Sequence, residues 1–338
     1  HSLPALRITP FPLRLRAMDR PTLSFIIPVF NEEQVIPELD KRLREFLNPI
    51  EESWEIIFVN DGSKDRTFEM LIELCKTEPR YKVVSFARNF GHQVAITAGM
   101  DRAEGDAVVI MDADLQDPPE VVRAMLEKWR EGWDVVIGQR LKRHGESLFK
   151  RATAAGFYRL LRALVPIDIP LDAGDFRLMS RPVILAMRAL REQHRFVRGL
   201  VSWVGFKQTA VQYDRPERFA GETKYPLSKM LRFAIDGITS FSVVPLRLAT
   251  LLGVVAGAIA IATSIWALFE GMYGKTVSGW ATIMITVSLA SSAQLLMTGI
   301  LGEYVGRIYE EIKRRPLYLV AETLNLPDSK DRQKSPLP

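Results

Sequence analysis

Short apolar runs that alternate with amphipathic stretches constrain the fold of this chain more than any other feature. The runs are rich in Val, Ile and Phe and comprise Leu23–Val29, Glu55–Val59, Lys82–Phe86, Ala107–Met111 and Val135–Gly138. Between most of them lie segments with helical periodicity, notably Glu32–Leu47, Thr67–Lys76 and Pro118–Glu131. Continuous apolar strands separated by helices are typical of a mostly parallel sheet covered on both faces. The sequence therefore predicts an α/β fold.

Composition excludes several classes of protein. Hydrophobic residues make up 47% of the 338 residues and charged residues 25%, which excludes an intrinsically disordered chain. The net charge is +5 and the sequence contains no long basic tract, so we expect no nucleic-acid partner. The single cysteine, Cys75, excludes an internal disulfide and fits a reducing compartment.

Two apolar segments near the C-terminus predict a membrane anchor. Leu248–Phe269 and Trp280–Leu301 each run for about 22 residues, enough for a helix to cross a hydrocarbon core of roughly 30 Å. Lys and Arg cluster before the first segment and after the second, which predicts an inner-membrane protein with its α/β domain and both ends in the cytoplasm. Small residues such as Gly253, Gly257 and Ser291 would permit close helix packing, so a homo-oligomer stays open.

The composition shifts divide the chain into five segments. We interpret them as a leader or expression remnant (1–21), the α/β domain (22–224), a basic amphipathic helix at the membrane surface (225–244), two transmembrane helices (245–302) and a cytoplasmic tail (303–338). The alternative for the apolar pair is two core helices of a larger soluble protein.

A pair of carboxylates follows the fourth apolar run. Asp112 and Asp114 lie two residues apart after Val108–Met111, so an extended chain would point both to one side at the carboxyl edge of the sheet. Open α/β sheets bind ligands at that edge. Because adjacent carboxylates repel unless a cation lies between them, we expect Mg²⁺ or Mn²⁺ there. The alternative is a set of solvated acids that cap the next helix, which Asp117 before Pro118 would fit.

Polar clusters also follow the first two runs. Asn31 and Glu32 come after the first, and Asp61 and Gly62 come after the second. Taken singly, they could be a helix cap and a turn. Because the carboxyl ends of parallel strands meet at one edge, the three clusters together predict one continuous site.

These motifs resemble those of a known family. The segments P-V-F-N-E-E, V-N-D-G-S, D-A-D-L-Q-D-P-P-E and G-E-T-K-Y are similar to those of family-2 glycosyltransferases, in particular polyprenyl-phosphate enzymes related to dolichol-phosphate mannose synthase. The resemblance covers roughly residues 22–240, and the two apolar segments resemble the bacterial lipid-phosphate glucosyltransferase branch. It implies a GT-A fold (a Rossmann-like, mostly parallel sheet), a divalent metal, a nucleotide-sugar donor and an inverting reaction.

The resemblance also implies roles for individual residues. The donor would contact Pro28, Asn31, Glu32, Asp61, Asp112, Ala113, Gln116 and Arg140. The metal would be held by Asp112 and Asp114 with Gln116 beside them. Asp175 stands where relatives keep an acidic residue near the reacting centre, so Asp175 and Asp114 are the expected catalytic residues. An acid in a turn is the alternative for Asp175.

A phosphate acceptor would need cationic partners. Guanidinium groups bind phosphate through two hydrogen bonds, and the candidates between the sheet and the apolar segments are Arg140, Arg151, Arg215, Arg218 and Lys224. Each could equally be a solvated surface residue. The segment Gln193–Gly199 lacks the Trp of the polysaccharide-making signature, which favours transfer of a single sugar.

Together these features predict transfer of one hexose, glucose from UDP-glucose, to a polyprenyl phosphate such as undecaprenyl phosphate at the cytoplasmic face of the bilayer. The choice of glucose rests on the resemblance alone. Mannose, N-acetylhexosamine and an aminoarabinose-type sugar are the alternative donor sugars. A catalytically silent membrane scaffold or flippase partner is the alternative from another class. His92, in a family-like segment, is interpreted as a packed or capping histidine.

Overall fold

A computed structural model describes residues 21–140, 173–214, 242, 244–272 and 279–326. Its strands are β1 (Leu23–Val29), β2 (Trp54–Asn60), β3 (Tyr81–Phe86), β4 (Ala107–Ile110), β5 (Val135–Arg140), β6 (Ala173–Ser180), β7 (Gln208–Tyr213) and β8 (Val320–Leu324). Its helices are α1 (Ile36–Leu47), α2 (Thr67–Thr77), α3 (His92–Arg102), α4 (Val121–Arg130), α5 (Arg181–Ala189), α6 (Val197–Trp203), α7 (Val244–Met272) and α8 (Trp280–Ile312).

The strands form one sheet in the order β7-β5-β6-β4-β1-β2-β3-β8. Strands β4, β1, β2 and β3 are parallel neighbours, and β5 pairs in parallel with β7. Strand β6 runs antiparallel between β4 and β5, and β8 is antiparallel on β3 at the edge. The predicted α/β fold with a mostly parallel sheet is confirmed.

Helices cover both faces of the sheet. Because successive side chains of a strand point to opposite faces, one strand contributes to the apolar cluster on each face. Phe25 and Ile27 of β1 belong to an apolar cluster with residues of α1, α2 and α4. Ile26 belongs to a second cluster, with residues of α3, α5 and α6. Every residue of β1 is buried, which explains why its sequence is apolar without alternation.

The first predicted helix begins later than its periodicity suggested. Asn31 adopts the left-handed conformation, with φ of 56°, and the carbonyl oxygen of Glu32 accepts hydrogen bonds from the N–H groups of Val35 and Ile36. This turn delays α1 until Ile36. Similarly, α4 begins at Val121 rather than Pro118, after a turn in which Pro118 accepts a hydrogen bond from Val121.

Helices α7 and α8 pack against each other in antiparallel directions. Gly253 faces Met297, and the Tyr304 hydroxyl donates to the carbonyl oxygen of Ser242 at 2.5 Å. Across the part of the chain described here, no helix reaches both the length and the apolar character needed to cross a bilayer. The transmembrane hairpin therefore stays a prediction. The amphipathic segment 225–244 lies outside the described residues except at Ser242 and Val244.

After α8 the chain returns to the sheet. Strand β8 pairs with β3, the Tyr318 ring stacks on Phe86 at 5.0 Å, and the Asn325 amide donates to the carbonyl oxygens of Cys75 and Tyr81. The segment 303–338, expected to be a tail, thus contributes a strand to the α/β domain. The remaining domain boundaries stay a prediction.

Candidate active site

Two loops at the carboxyl edge of the sheet are joined by hydrogen bonds. The Asn31 side chain accepts from the N–H of Lys64 at 2.8 Å, and the Asn31 N–H donates to the Ser63 hydroxyl. The N–H of Glu32 donates to the Thr67 hydroxyl at 2.8 Å. Because these contacts join the β1–α1 loop to the β2–α2 loop, the first two predicted polar clusters lie together.

Asp61 anchors a third loop to this edge. Its carboxylate is buried and accepts the N–H groups of Phe90 (2.6 Å) and Gly91 (3.0 Å), which precede α3. Burial raises the pKa of Asp61, although these hydrogen bonds oppose the change. At Gly62, with φ of 68°, a Cβ atom would lie 2.5 Å from the backbone carbon of Arg88. Only glycine fits this close approach.

Asp112 and Asp114 follow β4 as expected. Asp114 is buried, and its Oδ1 accepts the N–H of Gln116 at 3.1 Å across Leu115, whose φ is 60°. Among the described residues, the buried Oδ1 of Asp112 has no hydrogen-bond partner. Burial, together with the nearby carboxylates, raises the pKa of Asp112 to about 7. A buried carboxylate oxygen that lies among other acids and accepts no hydrogen bond is the environment that a cation would stabilise.

Asp175 lies in β6, next to β4, and is surrounded by donors. Its Oδ1 accepts Nε of Arg198 at 2.9 Å, and its Oδ2 accepts Nη2 of Arg198 at 3.2 Å and Nε2 of Gln93 at 3.1 Å. Burial alone would raise the pKa of this carboxyl, but the Arg198 guanidinium and the His92 imidazole hold it well below its usual range. Asp175 is therefore a poor proton acceptor.

His92 connects the two acidic centres. Its Nε2 lies 3.5 Å from Oδ1 of Asp112 and 3.3 Å from Oδ2 of Asp175. Burial would lower its pKa, but the bond to Asp175 and the charge of Asp112 raise the pKa to about 9. The histidine interpreted from sequence as packed or capping is half-exposed and lies within the site instead.

The carboxyl end of β5 completes this edge of the sheet. Arg140 Nε lies 3.5 Å from the Tyr213 hydroxyl, which donates to Oδ1 of the buried Asp117 at 2.6 Å. Burial and the Asp117 carboxylate raise the pKa of Tyr213, so it stays protonated. Arg140 also lies against Gly174, where a Cβ atom would meet its Nη2 at 2.7 Å.

The structure places most predicted site residues at one edge. Asn31, Glu32, Asp61, Asp112, Ala113, Asp114, Gln116 and Arg140 follow or end strands of the sheet there. Asp175 lies near the start of the antiparallel strand β6, and Pro28 is buried near the end of β1. Their functional roles stay predictions. Arg151, Arg215, Arg218 and Lys224 lie outside the described residues.

Sequence reasoning missed three residues that the fold brings to this edge. His92 and Gln93 follow β3 at its carboxyl end, so the rule that located the other clusters could have found them. Arg198 reaches Asp175 from α6, a contact between residues 23 positions apart in the chain. No local sequence pattern predicts such a contact.

The donor set fits a divalent cation that shares its ligands with a substrate. Asp112 and Asp114 offer carboxylate oxygens, the type of ligand that Mg²⁺ and Mn²⁺ prefer. Within the described ranges, no cluster of three or more His, Cys, Asp or Glu side chains is placed to hold a metal ion. Mg²⁺ typically takes only one or two carboxylates and completes its shell with water and substrate phosphates.

The chain is similar in sequence to glycosyltransferases of one family. The model of glycosyl transferase family 2 matches residues 24–186, which span β1 to α5. A glycosyltransferase of Bacillus subtilis (strain 168) is 53% identical over 304 residues, 90% of this chain and 94% of the relative. The protein is a glycosyltransferase with a GT-A type α/β domain. It belongs to glycosyl transferase family 2.

Other relatives carry more specific names. A prophage bactoprenol glucosyl transferase homolog of Escherichia coli (strain K12) is 41% identical, over 88% of this chain and 98% of the relative. The bactoprenol glucosyl transferase of Shigella phage SfV is 42% identical, over 88% and 97%. Among solved structures, glucosyl-3-phosphoglycerate synthase from Mycobacterium tuberculosis with UDP aligns over 65% of this chain and 78% of that chain, with 19% identity and a TM-score of 0.43.

Proposed function

We propose that this protein transfers one glucose unit from UDP-glucose to a polyprenyl phosphate. The observation that carries the proposal is the connected site at the sheet edge, in which His92 links Asp112 to Asp175. The relatives named as bactoprenol glucosyl transferases support a glucosyl donor and a polyprenyl acceptor. The choice of UDP as the nucleotide rests on the family resemblance.

The donor would bind across the carboxyl ends of β1, β2 and β4. The loops joined by Asn31, Glu32 and Asp61 would hold the nucleotide, and Asp112 and Asp114 would hold Mg²⁺ or Mn²⁺ at the diphosphate. The bound ion would neutralise charge on the leaving diphosphate as a Lewis acid. The buried Oδ1 of Asp112 supports this assignment because it lacks a hydrogen-bond partner among the described residues.

The acceptor phosphate would act as the nucleophile. A phosphate monoester has a second pKa of about 6 and is largely dianionic at neutral pH, so it needs positive charge near the donor more than it needs a base. One of its oxygens would bond to the anomeric carbon as the bond from that carbon to the diphosphate breaks. Attack from the opposite side would invert the configuration. Arg140, Arg151, Arg215, Arg218 and Lys224 stay the proposed sources of that charge.

We further propose that helices α7 and α8 hold the domain at the cytoplasmic face of a membrane. Large apolar side chains are exposed along both helices, including Leu251 and Val254 on α7 and Leu289 and Leu295 on α8. Contiguous exposed apolar surface marks a membrane or protein contact. A lipid acceptor could then reach the site without leaving the bilayer.

The test is transfer of radiolabelled glucose to polyprenyl phosphate by the full chain in detergent with Mg²⁺ or Mn²⁺. We expect metal-dependent product that falls about 100-fold or more in Asp114→Ala, because the metal site is lost. Asp106→Ala is the matched control: this exposed acid precedes the other end of the same strand, and its change should leave the rate unaltered.

Other donors, run in parallel, separate the remaining possibilities. Product from only a mannose, N-acetylhexosamine or aminoarabinose donor would keep the mechanism and replace the sugar. If no donor gives product while the protein stays folded, the proposal fails in favour of a binding scaffold or flippase partner.

A further inference from the structure

The segment that follows α8 packs against the end of β3, where the loop into α3 begins. Strand β8 pairs with β3, with Val320 opposite Phe86, and the N–H of Ala87 donates to the carbonyl oxygen of Leu319 at 3.0 Å. Tyr318 comes just before these contacts, and its ring stacks on Phe86 with the centroids 5.0 Å apart and the planes at 22°. A side chain from beyond the helix pair thus contacts the last residue of β3.

Phe86 connects Tyr318 to the loop between β3 and α3. The Phe86 ring packs edge-on against Phe90, with the centroids 5.6 Å apart and the planes at 84°. All three rings belong to the apolar side of the sheet that α3 covers. Stacked and edge-to-face pairs are the geometries that aromatic rings prefer, and they stabilise the pair beyond the area that it buries. Tyr318 therefore supports Phe90 through the ring that lies between them.

Phe90 belongs to the loop that orients Asp61. The N–H groups of Phe90 and Gly91 donate to the two oxygens of the Asp61 carboxylate, at 2.6 and 3.0 Å. Because Asp61 is buried, water cannot readily replace a donor that moves away. The orientation of this carboxylate thus depends on where the loop lies, and the Phe90 ring fixes the loop against the sheet.

The hydroxyl group of Tyr318 is held at the other end of α3. It donates to Oδ2 of Asp101 at 2.8 Å, and the same oxygen accepts Nη1 of Arg191 at 2.8 Å. Burial and the Asp101 carboxylate raise the pKa of Tyr318, so the hydroxyl stays protonated. Asp101 lies in the last turn of α3, and Phe90 lies just before its first residue, His92. Tyr318 is therefore linked to both ends of the helix that carries His92 into the site.

We propose that Tyr318 is a positioning residue for the nucleotide of the sugar donor. It acts through Phe86 and Phe90, which hold the loop whose N–H groups orient Asp61. The inference rests on the proposed function, in which Asp61 contacts the nucleotide. It adds a residue that lies far along the chain from every predicted donor contact, and it makes the segment after the helix pair a part of the donor pocket.

Calorimetry measures the Kd for UDP with the full chain in detergent, in the presence of Mg²⁺ or Mn²⁺. For Tyr318→Leu we expect this Kd to rise about 10-fold or more, because small displacements of binding groups have effects of that size. Tyr318→Met fills a similar volume without a flat ring, so we expect the same loss from this second variant even if the first does not fold. Tyr318→Phe keeps the ring and loses only the bond to Asp101, so its Kd should change less than about 3-fold.

Phe46→Leu is the matched control. Phe46 is buried and packs edge-on against Phe25, with the centroids 6.3 Å apart, near the amino end of β1 and in the other apolar cluster. This variant should lower the Tm but leave the Kd for UDP unaltered. Equal weakening of UDP binding by Phe46→Leu and Tyr318→Leu would show a general loss of stability and would overturn the positioning role. A Tyr318→Phe variant as damaged as Tyr318→Leu would also contradict it, because the ring contacts would not be the cause.

Two further measurements test the route through Phe90. Hydrogen exchange of the Phe90 and Gly91 amides should be faster in Tyr318→Leu and unaltered in Phe46→Leu, because only the first change loosens their bonds to Asp61. In steady-state transfer by Tyr318→Leu, KM for UDP-glucose should rise about 10-fold while KM for polyprenyl phosphate changes less than about 3-fold. Weaker UDP binding without faster exchange of these two amides would contradict the route.

The outcomes distinguish this inference from the proposed function. If the unaltered protein binds UDP but transfers no glucose to polyprenyl phosphate, the proposed function fails, and the UDP affinities of the variants still decide the role of Tyr318. If the unaltered protein does not bind UDP, both fail. If it binds UDP and transfers glucose while Tyr318→Leu and Tyr318→Met keep its Kd, the inference alone is overturned.

Discussion

Glu55 is a charged residue that the fold buries away from the active site. It is 2% exposed, and its carboxylate accepts the Ser24 hydroxyl, the Lys82 ammonium and, at 2.8 Å, the N–H of Glu104. These partners belong to β1, β3 and the turn before β4, so one side chain of β2 ties its neighbours together. Buried charges are tolerated only when their partners are complete.

We expect Glu55→Ala to lower the free energy of unfolding by about 3–5 kcal/mol. The change removes the charge partner of the largely buried Lys82 cation and the carboxylate that accepts hydrogen bonds from Ser24 and Glu104. Denaturant titration in mild detergent measures the loss. The matched control is Glu73→Ala, which breaks the exposed pair with Lys76 and should cost less than about 1 kcal/mol. Equal losses in the two variants would contradict a structural role for the buried pair.

Cys75 provides a prediction about protonation. Its thiol is buried and lies 3.4 Å from the carbonyl oxygen of Tyr81, and burial raises its pKa to about 11. At pH 8 the group is therefore almost wholly the unreactive thiol, since only the thiolate is nucleophilic. We expect iodoacetamide to leave the native protein unlabelled and to label it fully in urea, as mass spectrometry would show. Labelling of the folded protein at the rate of a free cysteine peptide would refute this.

At the scale of elements, the loop between β3 and α3 is held against the β2–α2 loop. Asp61 accepts the N–H groups of Phe90 and Gly91, and Gly62 lets the two backbones approach. Gly62→Ala would place Cβ 2.5 Å from Arg88 and would force the loops apart. We expect the Kd for the donor nucleotide, measured by calorimetry, to rise about 10-fold or more, because a displacement near 1 Å in a binding site has effects of that size.

Gly132→Ala separates this steric effect from backbone strain. Gly132 also has positive φ, at 95°, but nothing lies within 4 Å of its Cβ position. Its replacement should cost roughly 1 kcal/mol of stability and leave nucleotide affinity unaltered. If both variants weaken binding alike, the close approach at Gly62 is not what shapes the pocket.

The elements also show how far the sequence could predict this fold. Strands β1 to β5 were visible because each is an apolar run bounded by turns, and their carboxyl ends located Asp61, Asp112 and Asp114. Strand β6 escaped detection because it carries the buried polar residues Asp175 and Arg177, and Asp175 is satisfied by side chains of other elements, Gln93 and Arg198. Arg198 was missed for the same physical reason, since its partner comes from another element.

The whole molecule joins an α/β domain to a helix pair at more than one point. The chain leaves α8 and returns to the sheet as β8, while Gln193 bonds to Glu311 and Arg315 beside it. A strand of only five residues with exposed positions could not be recognised in the sequence as part of the domain. A membrane or protein partner that binds α7 and α8 would therefore also fix the orientation of the sheet edge that carries the site.

That orientation can be tested through the surface of α8. Leu289 and Leu295 are 66% and 73% exposed, and a lysine in the middle of a membrane span costs about 2.5–3.5 kcal/mol. We expect the unaltered protein to float with liposomes in a density gradient, and the variant Leu289→Lys with Leu295→Lys to lose most of that association. Flotation separates membrane-bound protein from aggregates, which sink.

The matched control changes exposed apolar residues of the α/β domain instead. Leu185 and Trp203, on α5 and α6, are 52% and 60% exposed. Leu185→Lys with Trp203→Lys adds the same charge and should still float, because only the helix pair is proposed to meet lipid. If the unaltered protein stays at the bottom of the gradient, or if only the control variant is released, then helices α7 and α8 do not hold the protein at a bilayer, and the lipid acceptor must reach the site by another route.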